Sequence, residues 1–221
     1  MNPTITILTP TTGKDSLNRL VESIDNQSVK NSTYHILLWD DKREPNSPAP
    51  ESFNSENRFS IVAPPGSGRN GAAPGSQLRS LGLMAAKTPW VTFADDDVWW
   101  DENHVAAMQH SLTNVSWAST LRRIWSPSGD ELGVDKFESV GDDPTRRVPY
   151  EMCDGNVMIC RRELGVQAAM LYRETVEYND DRLMYAFLKS QAGPRGRTGS
   201  ATINHICPDR LVEFFRNNCT K

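Results

Sequence analysis

The sequence lacks a strong charge of one sign, a long apolar run and the marks of an export signal. It has 28 acidic and 24 basic residues among 221, a net charge of −4. Binding through nucleic-acid phosphates needs a basic surface, so we expect no nucleic-acid partner. No apolar stretch approaches the roughly 20 residues that cross a bilayer, and the start lacks the basic and apolar regions of a signal peptide. We therefore expect a cytoplasmic chain without a transmembrane segment, and leave loose membrane contact open.

Cysteine is also scarce. The four cysteines form no C-x-x-C pair, which excludes a zinc ribbon and a thioredoxin motif, and we expect reduced thiols. The length and a hydrophobic fraction of 38% are sufficient for one sizeable core, so a single domain is expected. The cysteines are Cys153, Cys160, Cys207 and Cys219.

The first half of the chain alternates strands and helices. A β-branched strand at 4–8, an amphipathic helix at 17–24 and an apolar strand at 34–39 predict a βαβ unit with parallel pairing. A second set follows, with a strand at 59–63, a loop rich in glycine and proline at 64–75, a helix at 76–86 and a strand at 90–94.

This order predicts an α/β layer fold with a mostly parallel, Rossmann-like sheet flanked by helices. Two of the strands run directly into carboxylates, Asp40-Asp41 and the triple aspartate 95–97. Ligands in such sheets bind beyond the carboxyl ends of the strands, so both groups are placed where a ligand is expected.

The second half has a less regular pattern. It predicts helices at about 101–112, 162–172 and 180–189, strands at 115–125, 156–161 and 201–206, a loop rich in glycine and arginine at 193–199, and a closing helix after Pro208.

Three consecutive aspartates cannot be buried together without a counter-charge. Either they lie in water, as an acidic turn before the next helix, or a cation holds them. Oxygen ligands suit Mg²⁺ or Mn²⁺, which proteins often share with substrate phosphates. Taken alone, the pattern favours neither interpretation.

The order of these elements resembles the family 2 glycosyltransferases, which have the GT-A nucleotide-sugar fold. The similarity covers roughly the first 105 residues, and each motif is weak alone. The matching segments are Ile7-Leu8-Thr9-Pro10-Thr11, the helix 17–27, Leu37-Leu38-Trp39-Asp40-Asp41, Leu78-Arg79-Ser80-Leu81-Gly82 and Phe93-Ala94-Asp95-Asp96-Asp97-Val98-Trp99.

The resemblance implies a role for each matched position. Asp96 and Asp97 would bind Mn²⁺ or Mg²⁺ on the donor diphosphate. The family often has Asp-x-Asp-Asp here, whereas this chain begins the motif with Ala94, so which of the two aspartates is the direct ligand stays open. Arg79 could also be an ordinary solvated arginine. The nucleotide-sugar residues would be Thr9, Pro10, Asp40, Asp41, Arg79 and Asp95.

A catalytic base is also implied, because the acceptor hydroxyl must lose a proton as it attacks the sugar. In the family this base is an Asp at a helix start, and the similar segment here is Asp180-Asp181-Arg182. We expect Asp181 to be the base and Asp180 to support it. Helix capping is the competing explanation for both.

Three further assignments concern the donor site. Several GT-A enzymes use a late histidine as a metal ligand, which points to His205, although a lone histidine is usually a packed or surface residue. Arg195 and Arg197 would lie on a loop that closes over the diphosphate, or on a solvated loop. Of Trp99 and Trp100, one would pack in the core and the other could stack on a sugar ring, with Trp99 as the candidate for the donor site.

The resemblance therefore predicts an inverting, metal-dependent sugar transfer from a nucleotide-diphosphate donor, with UDP favoured, to a hydroxyl of a glycan, a lipid-linked saccharide or a small molecule. Residues 1–105 would bind the donor, and residues 106–221 would bind the acceptor and supply the base. Two alternatives are a sugar nucleotidyltransferase, whose glycine-rich N-terminal loop is absent, and a non-catalytic nucleotide-sugar-binding module, which would have lost the carboxylates.

Overall fold

The computed structural model describes residues 4–64, 75–137, 139, 141, 152–172 and 180–220. Within them, one curled sheet forms the centre of the molecule and helices cover both of its faces. Its strands are β1 (Ile5–Thr11), β2 (Thr33–Trp39), β3 (Arg58–Val62), β4 (Trp90–Phe93), β5 (Val98–Trp100), β6 (Trp117–Trp125), β7 (Glu131–Val134), β8 (Met158–Arg161) and β9 (Arg195–Ile206).

The helices occupy the connections between the strands. Short 3₁₀ turns at Pro50–Phe53, Gly155–Val157 and Asp209–Leu211 complete the architecture. The α-helices are α1 (Ser16–Asp25), α2 (Ser76–Ala85), α3 (His104–Ser111), α4 (Arg162–Tyr172), α5 (Asp180–Gln191) and α6 (Val212–Asn218).

The sheet has the order β3-β2-β1-β4-β8-β6-β9-β5, with β7 paired to β6. Strands β1 to β4 pair in parallel, while β8 is antiparallel to both β4 and β6, and β9 is parallel to β6. Consequently β1, β2, β3, β4, β6 and β9 all end at the same edge of the sheet. The predicted α/β fold with a mostly parallel sheet is confirmed.

The core explains why these segments become strands and helices. Buried aliphatic residues of β1 and β2, such as Ile7, Leu8, Ile36 and Leu38, have almost no exposed surface. Parallel strands covered on both faces need such continuous apolar runs. The apolar stripe of α1 packs on one face, with Leu17 and Leu20 buried.

Several predicted boundaries need correction. The loop predicted at 193–199 is wrong from Arg195 onward, because Arg195 already pairs with Trp117 at the start of β9. Strands β5 and β7 were not predicted. Most of the predicted loop 64–75 lies outside the described residues. Among the helices that the structure describes, none has the length and apolar character needed to cross a membrane.

Candidate active site

The carboxyl ends of β1, β2 and β4 enclose a cleft with a volume of about 220 Å³. Parallel register brings these ends level, and the amide of Asp40 donates to the carbonyl oxygen of Thr11 at 2.8 Å. The cleft is lined by Pro10, Thr11, Thr12, Lys14, Asp40, Gly75, Leu78, Arg79, Asp95, Asp96 and Asp97.

Arg79 connects this cleft to the start of α5 through two ion pairs. One guanidinium nitrogen donates to Asp95 and another to Asp180, both at 2.5 Å. Arg79 is buried, as is Asp180, so the ion pair between them is shielded from water, whereas the Asp95 side chain is 34% exposed. Arg79 therefore pairs with a carboxylate of the cleft and with the neighbour of the predicted base together, which is a more specific position than a solvated helix face.

Asp96 is held entirely by the protein. Its Oδ2 accepts the hydroxyl of Thr11 at 2.7 Å, and its Oδ1 accepts Lys14 Nζ at 3.0 Å. Only 4% of the residue is exposed. Both oxygens therefore have a donor before any metal ion or substrate arrives.

Asp97 differs from its two neighbours. Among the residues that the structure describes, no hydrogen-bond donor holds its carboxylate. Burial raises the pKa of Asp97, and the charges of Asp95 and Asp96 raise it further, against the opposing effects of His205 and Lys14. A carboxylate in this situation is stabilised by a cation, which makes Asp97 the chemically suitable ligand of the predicted ion.

His205 is brought to this position by the sheet, since it pairs with Val98, the residue after Asp97. Its Nδ1 lies 3.2 Å from a guanidinium nitrogen of Arg122. Arginine can only donate, so Nδ1 accepts and a neutral ring carries its hydrogen on Nε2. Nδ1 could bind a metal ion only without its contact to Arg122, and Nε2 could bind one only without its hydrogen. His205 therefore fits an ion less well than Asp97 does.

The described residues contain no cluster of three or more His, Cys, Asp or Glu side chains arranged as a metal cage. Magnesium commonly needs only one or two carboxylates, because substrate phosphates and water complete its coordination. The donor set around Asp97 therefore fits an ion shared with a diphosphate and does not fit a permanently bound structural ion.

A short turn connects the donor cleft to the second half of the chain. The side chain of Asn156 accepts the amide of Asp95 at 2.5 Å and donates to the Asp95 carboxylate at 3.0 Å. The same side chain donates to Asp154 at 2.7 Å, and Asp154 in turn accepts from Arg122. Arg122 also donates to the fully buried Asp135 at 2.8 Å.

The charge of this turn is balanced locally. Burial alone would raise the pKa of Asp154, but the adjacent Arg122, aided by hydrogen bonds from Asn156, lowers it below the ordinary value. Asp154 is therefore an anion at neutral pH, and it contributes negative charge close to Asp181.

The carboxylate of Asp181 lies close to the Cα of Gly155. A side chain at Gly155 would place its Cβ 2.6 Å from Asp181 Oδ1. Burial raises the pKa of Asp181 well above the ordinary value, and the negative charge of Asp154 raises it further, while Arg79 opposes the rise. A carboxyl group with a raised pKa is a stronger base once ionised, which suits the predicted role.

We expect Gly155→Ala to lower the turnover number by at least about tenfold, because the new methyl group displaces the Asp181 carboxylate. Affinity for the nucleotide should remain within about twofold of the wild type, because Gly155 does not line the donor cleft. Steady-state kinetics combined with calorimetry measures both. An unchanged turnover number in a folded variant would mean that Asp181 needs no such space.

Some predicted residues do not reach the cleft. The hydroxyl of Thr9 is buried against His35 at 2.9 Å, whose pKa is lowered to about 3 chiefly by burial. Asp41 follows Asp40 but does not line the cleft. One face of Trp99 is covered by the Arg19 guanidinium, 3.8 Å from the ring centroid, and Trp125 packs beside it. That contact leaves less of the Trp99 ring available for a sugar.

The predicted lid arginines lie elsewhere. Trp117 of β6 pairs with Arg195, and Ile124, seven residues further along β6, pairs with His205. At ~3.3 Å per residue, Arg195 therefore lies roughly 23 Å from His205 along the sheet. Arg195 packs on Trp117 and donates to Cys153 Sγ at 3.2 Å, and Arg197 is exposed nearby. The structure does not bring either arginine to the diphosphate cleft, because the segment that carries them is a strand.

Lys14 and Arg122 were missed by the sequence analysis. Lys14 lies in the turn after β1, and such a turn residue could have been considered because ligands bind at that edge. No local pattern marks Arg122, whose partner Asp154 lies 32 residues further along the chain. The sequence 153–156 is typical of a turn, but it does not reveal the bond from Asn156 to the distant Asp95.

A curled α/β sheet with a carboxylate-lined cleft at its carboxyl edge defines the class, a GT-A-type α/β protein. The family model described as glycosyl transferase family 2 matches residues 6–116, about half of the chain. The chain belongs to glycosyl transferase family 2, and the family prediction is confirmed.

Crystal structures of S. aureus TarS have the same fold. TarS 1-349 matches with a TM-score of 0.69 and 16% identity over 99% of this chain and 66% of that chain. The complex of TarS 1-349 with UDP-GlcNAc matches with a TM-score of 0.66 and 16% identity, over 93% of this chain and 59% of that chain. A further TarS structure matches with a TM-score of 0.60 and 14% identity, over 92% of this chain and 37% of that chain. The chain thus spans less than two-thirds of the length of these solved chains. Among curated protein sequences, none matches it.

Proposed function

We propose that this chain transfers a sugar from a nucleoside-diphosphate donor to a hydroxyl acceptor, with inversion at the anomeric carbon and with the help of Mn²⁺ or Mg²⁺. The observation that carries the proposal is the joining of two sets of carboxylates by Arg79. Asp95 belongs to the cleft at the strand ends, and Asp180 adjoins a base with a raised pKa.

The nucleotide would occupy the cleft between Asp40 and the triple aspartate. Asp40 is buried at the end of β2, where its Oδ1 already accepts the amide of Lys42 at 2.8 Å, and it can bind the base or ribose through its remaining lone pairs. Asp95 is oriented by Arg79 and Asn156 on two sides, so its carboxylate is fixed for a ribose hydroxyl. The nucleotide would be UDP, the nucleotide present in solved complexes of TarS.

The charges of the cleft support the need for a metal ion. Among the described residues, four carboxylates and two cationic side chains line it, an excess of negative charge that repels a diphosphate. A divalent ion held by Asp97 and by diphosphate oxygens would offset this charge and stabilise the leaving group. His205 remains a predicted ligand, and its contact with Arg122 argues against it.

Transfer itself needs one base. The acceptor oxygen attacks C1 of the sugar, its proton passes to the Asp181 carboxylate, and the bond from C1 to the diphosphate oxygen breaks. A single displacement of this kind inverts the anomeric centre. Gly155 leaves room for the Asp181 carboxylate, so residues after 105 would supply the base and the acceptor side, while the described residues that line the cleft come from the first 97 positions.

Calorimetric titration of the chain with UDP, GDP, CDP and ADP, with and without Mn²⁺, tests the donor site. We expect UDP to bind most tightly and Mn²⁺ to increase its affinity by at least about tenfold, since the ion offsets the negative cleft. Uridine should show no such increase. Absence of binding by every nucleotide would overturn the proposed function.

A further inference from the structure

Lys14 is the feature of the cleft that the proposed function leaves without a role. Its ammonium lies 3.0 Å from Asp96 Oδ1 and lines the cleft beside Thr12 and Asp40. Among the residues that the structure describes, two cationic side chains line this cleft, and the other one, Arg79, is already bound between Asp95 and Asp180. Lys14 is therefore the cation whose pairing can change.

The two partners of this ion pair differ in freedom. The side chain of Lys14 is 48% exposed, whereas that of Asp96 is 6% exposed and is fixed by the Thr11 hydroxyl. A lysine has a long flexible stem and three rotatable donors, so it can move while the carboxylate stays in place. If Lys14 leaves, Asp96 keeps its bond from Thr11.

The backbone aims Lys14 at the cleft. Gly13 has a φ of +87°, and its amide donates to Thr11 Oγ1 at 2.9 Å. A Cβ at Gly13 would collide with Ser47 and Trp39, so only glycine fits this turn. Gly13 thus packs closely against Ser47 and Trp39, and the side chain of the next residue, Lys14, lies on the side of the aspartates.

Its electrostatic environment keeps Lys14 charged. Asp95, Asp96 and Asp97 line the same cleft, and the Asp96 carboxylate lies 3.0 Å from the ammonium. A charged ammonium at the mouth of a negative cleft attracts phosphate groups.

We propose that Lys14 is a diphosphate-binding residue. Its ammonium pairs with Asp96 in the free protein and moves to a phosphate oxygen of the donor when the donor binds. This inference rests on the proposed function and deepens it, because it assigns the protein's own cation for the diphosphate. Lys14 thereby neutralises the phosphates from the Asp96 side, while the predicted metal ion lies at Asp97.

The test compares binding of UDP and of uridine to the full chain at saturating Mn²⁺, by calorimetry for UDP and by competition for uridine. We expect Lys14→Gln to weaken UDP binding by about tenfold, the effect of one charge-assisted hydrogen bond, and to leave uridine affinity within about twofold. Lys14→Arg should retain most of the UDP affinity because it keeps the charge and the donors.

Lys42→Gln is the matched control. It removes a lysine charge near the end of β2 and keeps the backbone amide that Asp40 accepts, and because the Lys42 side chain does not line the cleft, UDP affinity should be unchanged. Unchanged UDP affinity in Lys14→Gln, an equal loss for uridine, or an equal loss in Lys42→Gln would overturn the assignment of Lys14. If the wild-type chain binds no nucleotide, the proposed function fails and this inference fails with it.

Discussion

Asp181→Asn is expected to lower the rate of sugar transfer by about a thousandfold while leaving UDP affinity within about twofold of the wild type. Asparagine has nearly the same shape but cannot accept the acceptor proton. Asp181 does not line the donor cleft, so the nucleotide should bind normally. The measurement pairs calorimetry with release of UDP from a nucleotide sugar in the presence of candidate acceptors.

Stability provides an independent readout for this variant. The pKa of Asp181 is raised in the folded protein, so its ionised form is less stable there than in the unfolded chain. Above the unfolded pKa, this carboxylate therefore lowers the free energy of unfolding. Asp181→Asn should unfold at the same or a higher temperature than the wild type at neutral pH. Because the base has a raised pKa, wild-type turnover should also fall as the pH is lowered, and the midpoint of this fall should lie above the ordinary pKa range of an aspartate.

Asp180→Asn is the neighbouring control. Asp180 is paired with Arg79 at 2.5 Å, and its loss releases the guanidinium that also orients Asp95. We expect this variant to weaken UDP binding and to lower stability, the opposite pattern to Asp181→Asn. If Asp181→Asn reduced nucleotide affinity and turnover by the same factor, Asp181 would be a binding residue and the base would have to be another group.

Arg122→Met is expected to lower the free energy of unfolding by about 3–5 kcal/mol, because it leaves buried carboxylates without their counter-charge. The Arg122 side chain is 1% exposed and that of Asp135 is 0% exposed, with 2.8 Å between donor and acceptor. Asp154 loses the same partner. Urea denaturation measures the change, and the melting temperature should fall by roughly 10 °C for a chain of this size.

Arg216→Met is the control for that variant. Arg216 also pairs with a carboxylate, Glu213 at 3.1 Å, but the two side chains are 56% and 73% exposed. Removal of such a surface pair should change the free energy of unfolding by less than about 1 kcal/mol. Equal stability of Arg122→Met and the wild type would mean that Asp135 and Asp154 are compensated by other groups, and Arg122 would lose its structural importance.

The alternation of apolar strands and amphipathic helices was sufficient to predict the α/β fold and the helix Arg162–Tyr172. It was also sufficient to place Asp40 and Asp95–Asp97 at strand ends, because parallel strands all end at one edge of the sheet. These conclusions depend on local periodicity and on one topological rule, and both can be read from neighbouring residues.

The segment from Arg195 to Gly199 was predicted incorrectly for a physical reason. Glycine and arginine are typical of an exposed loop, but here β6 offers a free edge, and pairing with Trp117 and Ser119 outweighs the local preference. A strand's neighbours are distant in sequence, so composition alone could not reveal the pairing.

The chain by itself determined which residue types stand at the ends of its strands and at the start of α5. Only the tertiary structure decided which of them act together: Arg79 with Asp180, Lys14 with Asp96, and Arg122 with Asp154. Each of these contacts joins segments that are separate in sequence, and its strength depends on burial and on distance. Burial and distance between such segments exist only after the chain has folded, so the aspartates and Arg79 could be identified from the sequence, but their pairing and the contributions of Lys14 and Arg122 could not.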